Sequence, residues 1–168
     1  MIIYEEVFKE FQKQKVKYVL VGGIAVNLLG SMRSTADLDI LTEMSNENLA
    51  KVVKILKKQG YRVRQPVDPV DPMGIADEKI RNDWIKNKHM KAFNFYKESD
   101  LKEVDIIIDS PVSFNQAIKT AENLKVGTKM FPVISIDNLI KMKKITGRLK
   151  DKLDITELKK IKKLKKRK

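Results

Sequence analysis

Apolar residues recur along the chain at two spacings, and the switches between them predict the elements. In residues 2–14, Ile3, Val7, Phe8 and Phe11 fall at helical spacing, which predicts an amphipathic helix packed on a sheet. Residues 18–21 are a short apolar run, the first strand, and residues 24–29 a short helix behind Gly22-Gly23. Residues 37–41 (DLDIL) alternate acid and apolar, the period of a strand. Ser45 is placed to cap a helix whose stripe is Leu49, Val52, Val53 and Leu56, with Gly60 just past its end. Residues 61–63 read as a short strand. Residues 65–74 (QPVDPVDPMG) are proline-rich and without period. A helical turn or two surrounds Trp84, and residues 91–96 and 103–109 form a hairpin. Residues 113–123 read as helix. Residues 129–134 read as an edge strand, because Pro132 lacks a ladder donor. Ser135 is placed to cap the helix 136–146, and Gly147-Arg148 turns the chain. The fold class expected is α+β (α/β): a mixed β-sheet flanked by helices, with a C-terminal helical segment. One domain over 1–158 and a basic tail over 159–168 are the expected divisions.

Charge changes this picture at one end. The formal net charge is +13, but residues 159–168 (KKIKKLKKRK) carry eight basic and no acidic side chains. Without them the body carries only +5. The tail would attract RNA, DNA or an anionic surface, and a solvated lysine helix accounts for it equally well. Cysteine is absent, so disulfides, thiolate metal sites and a cysteine nucleophile are excluded. The single histidine, His89, excludes His-rich zinc sites. No signal peptide or bilayer-spanning run is evident, and a cytoplasmic protein without a membrane partner is expected.

The candidate chemistry lies in residues 21–41 (VGGIAVNLLGSMRSTADLDIL). Alternation puts Asp37 and Asp39 on one strand face, with Cα atoms roughly 6.5–7 Å apart. Two carboxylates about 5 Å apart repel by roughly 3 kcal/mol at an effective dielectric near 20. A hard divalent cation removes that cost, and oxygen ligands suit magnesium. Gly22-Gly23, at a strand-to-helix junction, allows close approach of a ligand, and the helix behind it is a natural phosphate seat. A D-x-D motif or a glycine pair by itself is more often surface or turn. Their order and spacing suggest phosphoryl or nucleotidyl transfer. Asp105 is a further signal, because the strand around it (EVDIIID) does not accept a carboxylate cheaply. It must face solvent at a strand end or have a cationic partner.

A glycine pair, a short helix and D-h-D, where h is apolar, resemble the nucleotidyltransferase superfamily, in its minimal or AbiEii-toxin-like branch. The third acid of that family, in an h-D-h strand, is matched by Val104-Asp105-Ile106. Arg33-Ser34-Thr35 matches an R-x-T before the acids, where Arg33 meets a phosphate or braces the strand. Arg81, Trp84 and Lys88 match the order of an insertion in AbiEii-like relatives. Of these, Trp84 reads as core, and Arg81 and Lys88 are candidates to face substrate. Residues 143–158 match a Lys, then G-R-x-K-D, then D-I-x-x-L. One departure is Gly23, where the superfamily often has serine.

The resemblance implies transfer of a nucleoside monophosphate from an NTP to a hydroxyl acceptor. The acceptor classes are RNA, a protein, or a small molecule such as an aminoglycoside. Asp37, Asp39 and Asp105 would be catalytic and hold Mg2+ or Mn2+. Gly22, Gly23, Arg33, Lys143 and Arg148 would bind nucleotide, with Lys141 and Lys144 competing for the role of Lys143. Asp151 and Asp154 would bind Arg148 or cap a helix. The alternatives are a toxin–antitoxin component that binds a protein partner, and a plain RNA-binding protein.

Overall fold

The structure is a computed structural model that describes residues 4–64 and 71–165. Among the described residues one sheet runs in the order β3-β4-β5-β2-β1-β7-β6. Its strands are β1 (Tyr18–Leu20), β2 (Leu38–Thr42), β3 (Arg62–Val63), β4 (Ala92–Lys97), β5 (Lys102–Ile107), β6 (Glu122–Val126) and β7 (Lys129–Val133). The pairs β2/β5 and β1/β7 are parallel and the others antiparallel, so the sheet is mixed as expected.

Helix α1 (Glu5–Lys13) buries Val7, Phe8 and Phe11; Ile3, the remaining residue of the expected stripe, lies outside the described residues. Phe8 meets Phe131 of β7 edge-on at 4.8 Å, and Phe11 meets Tyr18 of β1 at 5.2 Å. Helix α2 (Gly22–Leu28) starts two residues before the expected point, with both glycines in its first turn. Helix α3 (Asn46–Lys58) buries Leu49, Val52, Val53 and Leu56 as its stripe requires. Ser45 Oγ accepts the Asn48 N–H at its start, and Gly60 past its end has φ +86°.

Alternation is strict where it matters. Phe93 and Phe95 of β4, Val104 and Ile106 of β5, and Leu38 and Ile40 of β2 are fully buried. Their odd neighbours, Asn94, Asp105 and Asp39, therefore share the opposite face.

Two expectations fail together. Helix α5 (Phe114–Lys119) is shorter than the helix expected over 113–123, because the chain reverses into β6 at Glu122. Beta-strand β7 is then an inner strand, between β1 and β6, and not an edge. Pro132 survives there for a geometric reason. The Ile134 N–H donates to Leu20 O of β1 at 3.0 Å, and by the period of two the Pro132 nitrogen faces the same side. The register of β7 with β1 is confined to Leu20 opposite Val133, so the missing donor falls where that short ladder ends. Ser135, expected to cap the next helix, makes no side-chain cap and lies 3.2 Å from the Thr120 hydroxyl instead.

Part of the proline-rich stretch, 65–70, lies outside the described residues; Pro72–Ala76 form a 3-10 turn with Ile75 buried. Helix α4 (Glu78–Asn87) follows, and Trp84 is core, stacked on Phe93 at 5.2 Å. Arg81, a candidate for substrate, is buried and structural: its guanidinium donates to Ile75 O at 2.6 Å and Met44 O at 2.9 Å. Helix α6 (Ile136–Thr146) ends at Gly147, φ +63°, and α7 (Leu149–Lys165) packs against it. The lysine-rich stretch continues α7 as far as Lys165, where Lys162 pairs with Asp137 and Lys165 with Glu122; residues 166–168 lie outside the described residues.

Arg81→Met keeps the side chain's length and removes both donors from buried carbonyls. It is expected to cost about 2–3 kcal/mol, read as a lower urea midpoint at unchanged m-value. An unchanged midpoint would show that Arg81 does not carry this corner.

Candidate active site

Asp39 stands in register with Asp105 across the parallel pair β2/β5, and Asp105 with Asn94 across β5/β4. The three polar side chains form one row over three strands, at neighbouring positions roughly 5 Å apart. Asp37, exposed, lies two residues before Asp39, just ahead of β2. The third acid is thus on the face of the other two. Of the two expectations for it, solvent at a strand end or a cationic partner, neither is met in full: Asp105 is half-buried, and a neutral amide, Asn94 Nδ2, donates to its Oδ1 at 2.5 Å.

The glycine pair closes on Asp39. A Cβ at Gly22 would lie 1.8 Å from Asp39 Oδ2, and Gly22 has φ +63°, so both space and backbone require glycine. The Gly23 N–H points to Asp39 Oδ2 at 3.4 Å. A Cβ at Gly23 would lie 2.5 Å from the Thr35 hydroxyl and 3.2 Å from Arg33 Cζ. The space that a serine would use at this position is therefore filled from the loop before β2.

Electrostatics follow from this crowding. Burial pushes the Asp39 carboxyl up to about 6, the Asp105 charge adds to it, and the Gly23 N–H opposes. Asp37 and Lys143 act more weakly, in opposite senses. Asp105 is raised as well, by burial first, with Asn94 opposing. Among the described residues no three acids already stand at the spacing of metal ligands. The donor set is nevertheless of the kind a hard divalent cation takes, and such a cation would offset the repulsion among its charges.

Lys143, Arg148 and Arg33 meet in a second cluster. Lys143 is buried and binds Asp154 at 2.6 Å and Asp151 at 3.1 Å. Arg33 reaches Asp154 at 2.5 Å, and Arg148 reaches Asp151 at 3.0 Å. Asn27 fixes the Arg33 backbone from both sides, accepting its N–H at 3.1 Å and donating to its C=O at 2.8 Å. Burial opposes the charge on Asp151, but Thr146, Arg148 and Lys143 outweigh it and hold the carboxyl down at about 2. Asp151 and Asp154 therefore serve the basic residues. Arg33 is a brace between the glycine turn and α7. Gly22, Lys143 and Arg148 line one cavity of about 450 Å³, between the end of β5 and helices α6 and α7. Asp37, Asp39 and Asp105 stand at the sheet beside Gly22.

Tyr4 is a residue of this site that the sequence pattern does not single out. Its hydroxyl donates to Ala36 O at 2.5 Å or Glu103 O at 2.8 Å and accepts the Glu103 N–H at 3.3 Å. It thereby joins the approaches to Asp37 and Asp105, one residue and two residues before them. Burial raises its pKa to about 12. The position has no motif, because what it binds is backbone.

Comparisons with known proteins bear on the family and the fold. A family model described as aminoglycoside-2''-adenylyltransferase matches residues 4–158. No curated protein matches the chain. Among solved structures, the lincosamide antibiotic adenylyltransferase LnuA, lincomycin-bound, has a TM-score of 0.62 at 19% identity, over 95% of this chain and 96% of that one. ANT(2'')-Ia in complex with adenylyl-2''-tobramycin has a TM-score of 0.60 at 13% identity, over 96% of this chain and 92% of that one. At such identities the likeness speaks for the fold. The AbiEii-like branch is not among these findings.

The folded pKa of Asp39, about 6, exceeds its ordinary value of 3.8, so between those pH values the native state holds the extra proton. Metal-free stability from this group is highest below about pH 4 and declines as pH rises through 6, by up to about 3 kcal/mol. Asp39→Asn is expected to match wild type at pH 4 and exceed it at pH 7.5, in urea melts with EDTA. A variant less stable than wild type at pH 7.5 would contradict the strain assigned to this carboxylate.

Proposed function

The chain belongs to the aminoglycoside-2''-adenylyltransferase family, and on that ground we propose that it is an enzyme transferring an adenylyl group from ATP to a hydroxyl of a small organic acceptor. The observation that carries this reading is Asp39 opposite Asp105, with the glycine turn closed on Asp39. A row of mutually repelling carboxylates beside a cavity edged by Lys143 and Arg148 suits a triphosphate with its cation.

In this reading the acceptor oxygen attacks the α-phosphorus. A new P–O bond forms, the bond to the bridging oxygen breaks, and pyrophosphate leaves with the electron pair. Asp105 takes the acceptor's proton. Its raised affinity for a proton brings it nearer the operating pH, and Asn94 holds one of its oxygens so that the other faces the acceptor. Asp37, Asp39 and Asp105 would hold a divalent ion, Mg2+ or Mn2+, which supplies charge neutralisation at the phosphates and a lowered pKa for the hydroxyl. Gly22 and Gly23 let the phosphates approach the backbone. Arg148, largely exposed, is free to swing to the pyrophosphate, whereas Lys143 acts from the cavity wall. Arg33 keeps the loop before β2 in place. The toxin–antitoxin alternative rests on the sequence resemblance alone.

The test uses ATP labelled at the α-phosphate, Mg2+ and a panel of hydroxyl compounds, with pyrophosphate release as a second readout. Asp37→Asn, Asp39→Asn and Asp105→Asn are each expected to lower transfer by at least about 100-fold, and EDTA to abolish it. Undiminished transfer in the folded variants would place the chemistry elsewhere.

A further inference from the structure

Tyr4 bears on how the three aspartates are spaced, granted the adenylyl-transfer reading above. Strand β2 begins at Leu38, which stands opposite Val104 of β5. Continued by one residue, that register would set Asp37 opposite Glu103. The side that each backbone group faces alternates along a strand. The Val21 N–H donates to Asp39 O, so Asp39 turns its backbone groups towards β1, and Leu38 and Ala36 turn theirs towards β5. The Ile108 N–H donates to Lys91 O beside β4, so Glu103 turns its own towards β2. The next rung of this parallel ladder would therefore run from the Glu103 N–H to Ala36 O.

The Tyr4 hydroxyl occupies that rung. It accepts the Glu103 N–H at 3.3 Å, and its own proton is shared between Ala36 O at 2.5 Å and Glu103 O at 2.8 Å. A direct N–H···O bond spans about 3 Å. An oxygen inserted between this donor and acceptor holds the two chains further apart than a closed rung would. The ring behind it is 2% exposed. Tyr4 also opens helix α1, whose Phe8 and Phe11 pack on β7 and β1, on the other side of β2. The wedge is thus anchored outside the two strands that it parts. Burial first, then the charges of Asp37 and Asp105, keep the phenol protonated, so both acids lie within electrostatic range of it.

We propose that Tyr4 is a positioning residue: its hydroxyl, wedged between the chain before β2 and the start of β5, holds Asp37 at the distance from Asp105 that a shared divalent ion requires. Removing the oxygen lets the rung close or leaves it unfilled, and in either case the place of Asp37 is no longer set. The register of Asp39 with Asp105 lies further along the ladder and is kept.

The test titrates Mn2+ into the full chain, without nucleotide and with a non-hydrolysable ATP analogue. Binding is read by calorimetry, with urea melts alongside. Tyr4→Phe is expected to weaken Mn2+ binding at least tenfold, and to raise by a similar factor the Mg2+ concentration that gives half-maximal AMP transfer. Phe11→Leu removes packing from the same helix; it is expected to lower the urea midpoint and leave Mn2+ affinity within twofold. If Tyr4→Phe does not fold, 4-fluorophenylalanine at that position, which fills the hydroxyl's volume and cannot donate, takes its place. Mn2+ bound by the Tyr4 variant as tightly as by wild type, or weakened equally in Phe11→Leu, would overturn the proposal. Wild type that binds no Mn2+ in either condition would sink the adenylyl-transfer reading and this inference with it, so the two failures are distinguishable.

Discussion

Two carboxylates held opposite each other on neighbouring parallel strands, half out of water, are the constraint on which the site depends. The pairing of β2 with β5 sets Asp39 against Asp105, and the side-chain period of the two strands sends both to one face. Everything near them reduces or contains the resulting repulsion. The Gly23 N–H points at one carboxylate, Asn94 donates to the other, and Lys143 lies within electrostatic range. None of these offsets burial and the Asp105 charge entirely, which is why Asp39 stays raised. The fold thus carries strain at the place where a cation and a triphosphate would relieve it.

The apolar faces beneath make this tolerable. Leu38, Ile40, Val104, Ile106, Phe93 and Phe95 fix the register of three strands from the buried side, so a slip would expose the whole set. On the other flank, Lys143 and Arg33 share Asp154 and thereby fasten α7 to the loop before β2. That ion cluster is largely buried, so removing one partner is far more damaging than its net contribution to stability would suggest. The basic residues near the site are therefore structural parts as much as candidates for the nucleotide.

Much of this was legible in the chain because it depends on local period and spacing. The stripe of α3, the alternation through Asp39, the β4–β5 hairpin and the glycine junction all state themselves within a dozen residues. The rest depends on partners distant in sequence. Strand β6 looked like the end of a helix, because only its pairing with β7 across the Gly127 turn makes it a strand. Pro132 suggested an edge, since the sequence does not tell which side of a strand its nitrogen will face. Arg81 resembled a substrate ligand until its carbonyl partners at Met44 and Ile75 were seen. Tyr4 could not be read at all, and for Asp105 the sequence offers solvent or a cation, whereas its partner is an amide from a neighbouring strand. The family match over residues 4–158 agrees with the resemblance to nucleotidyltransferases read from the chain.

Gly22 and Asp39 compete for the same volume, since the first atom of any side chain at 22 would overlap the carboxylate. The two positions are therefore a linked pair in any lineage that shares this fold. A descendant that acquires a side chain at 22 must surrender or displace the acid. A genome survey could use that one codon as a quick marker of whether the carboxylate keeps its place.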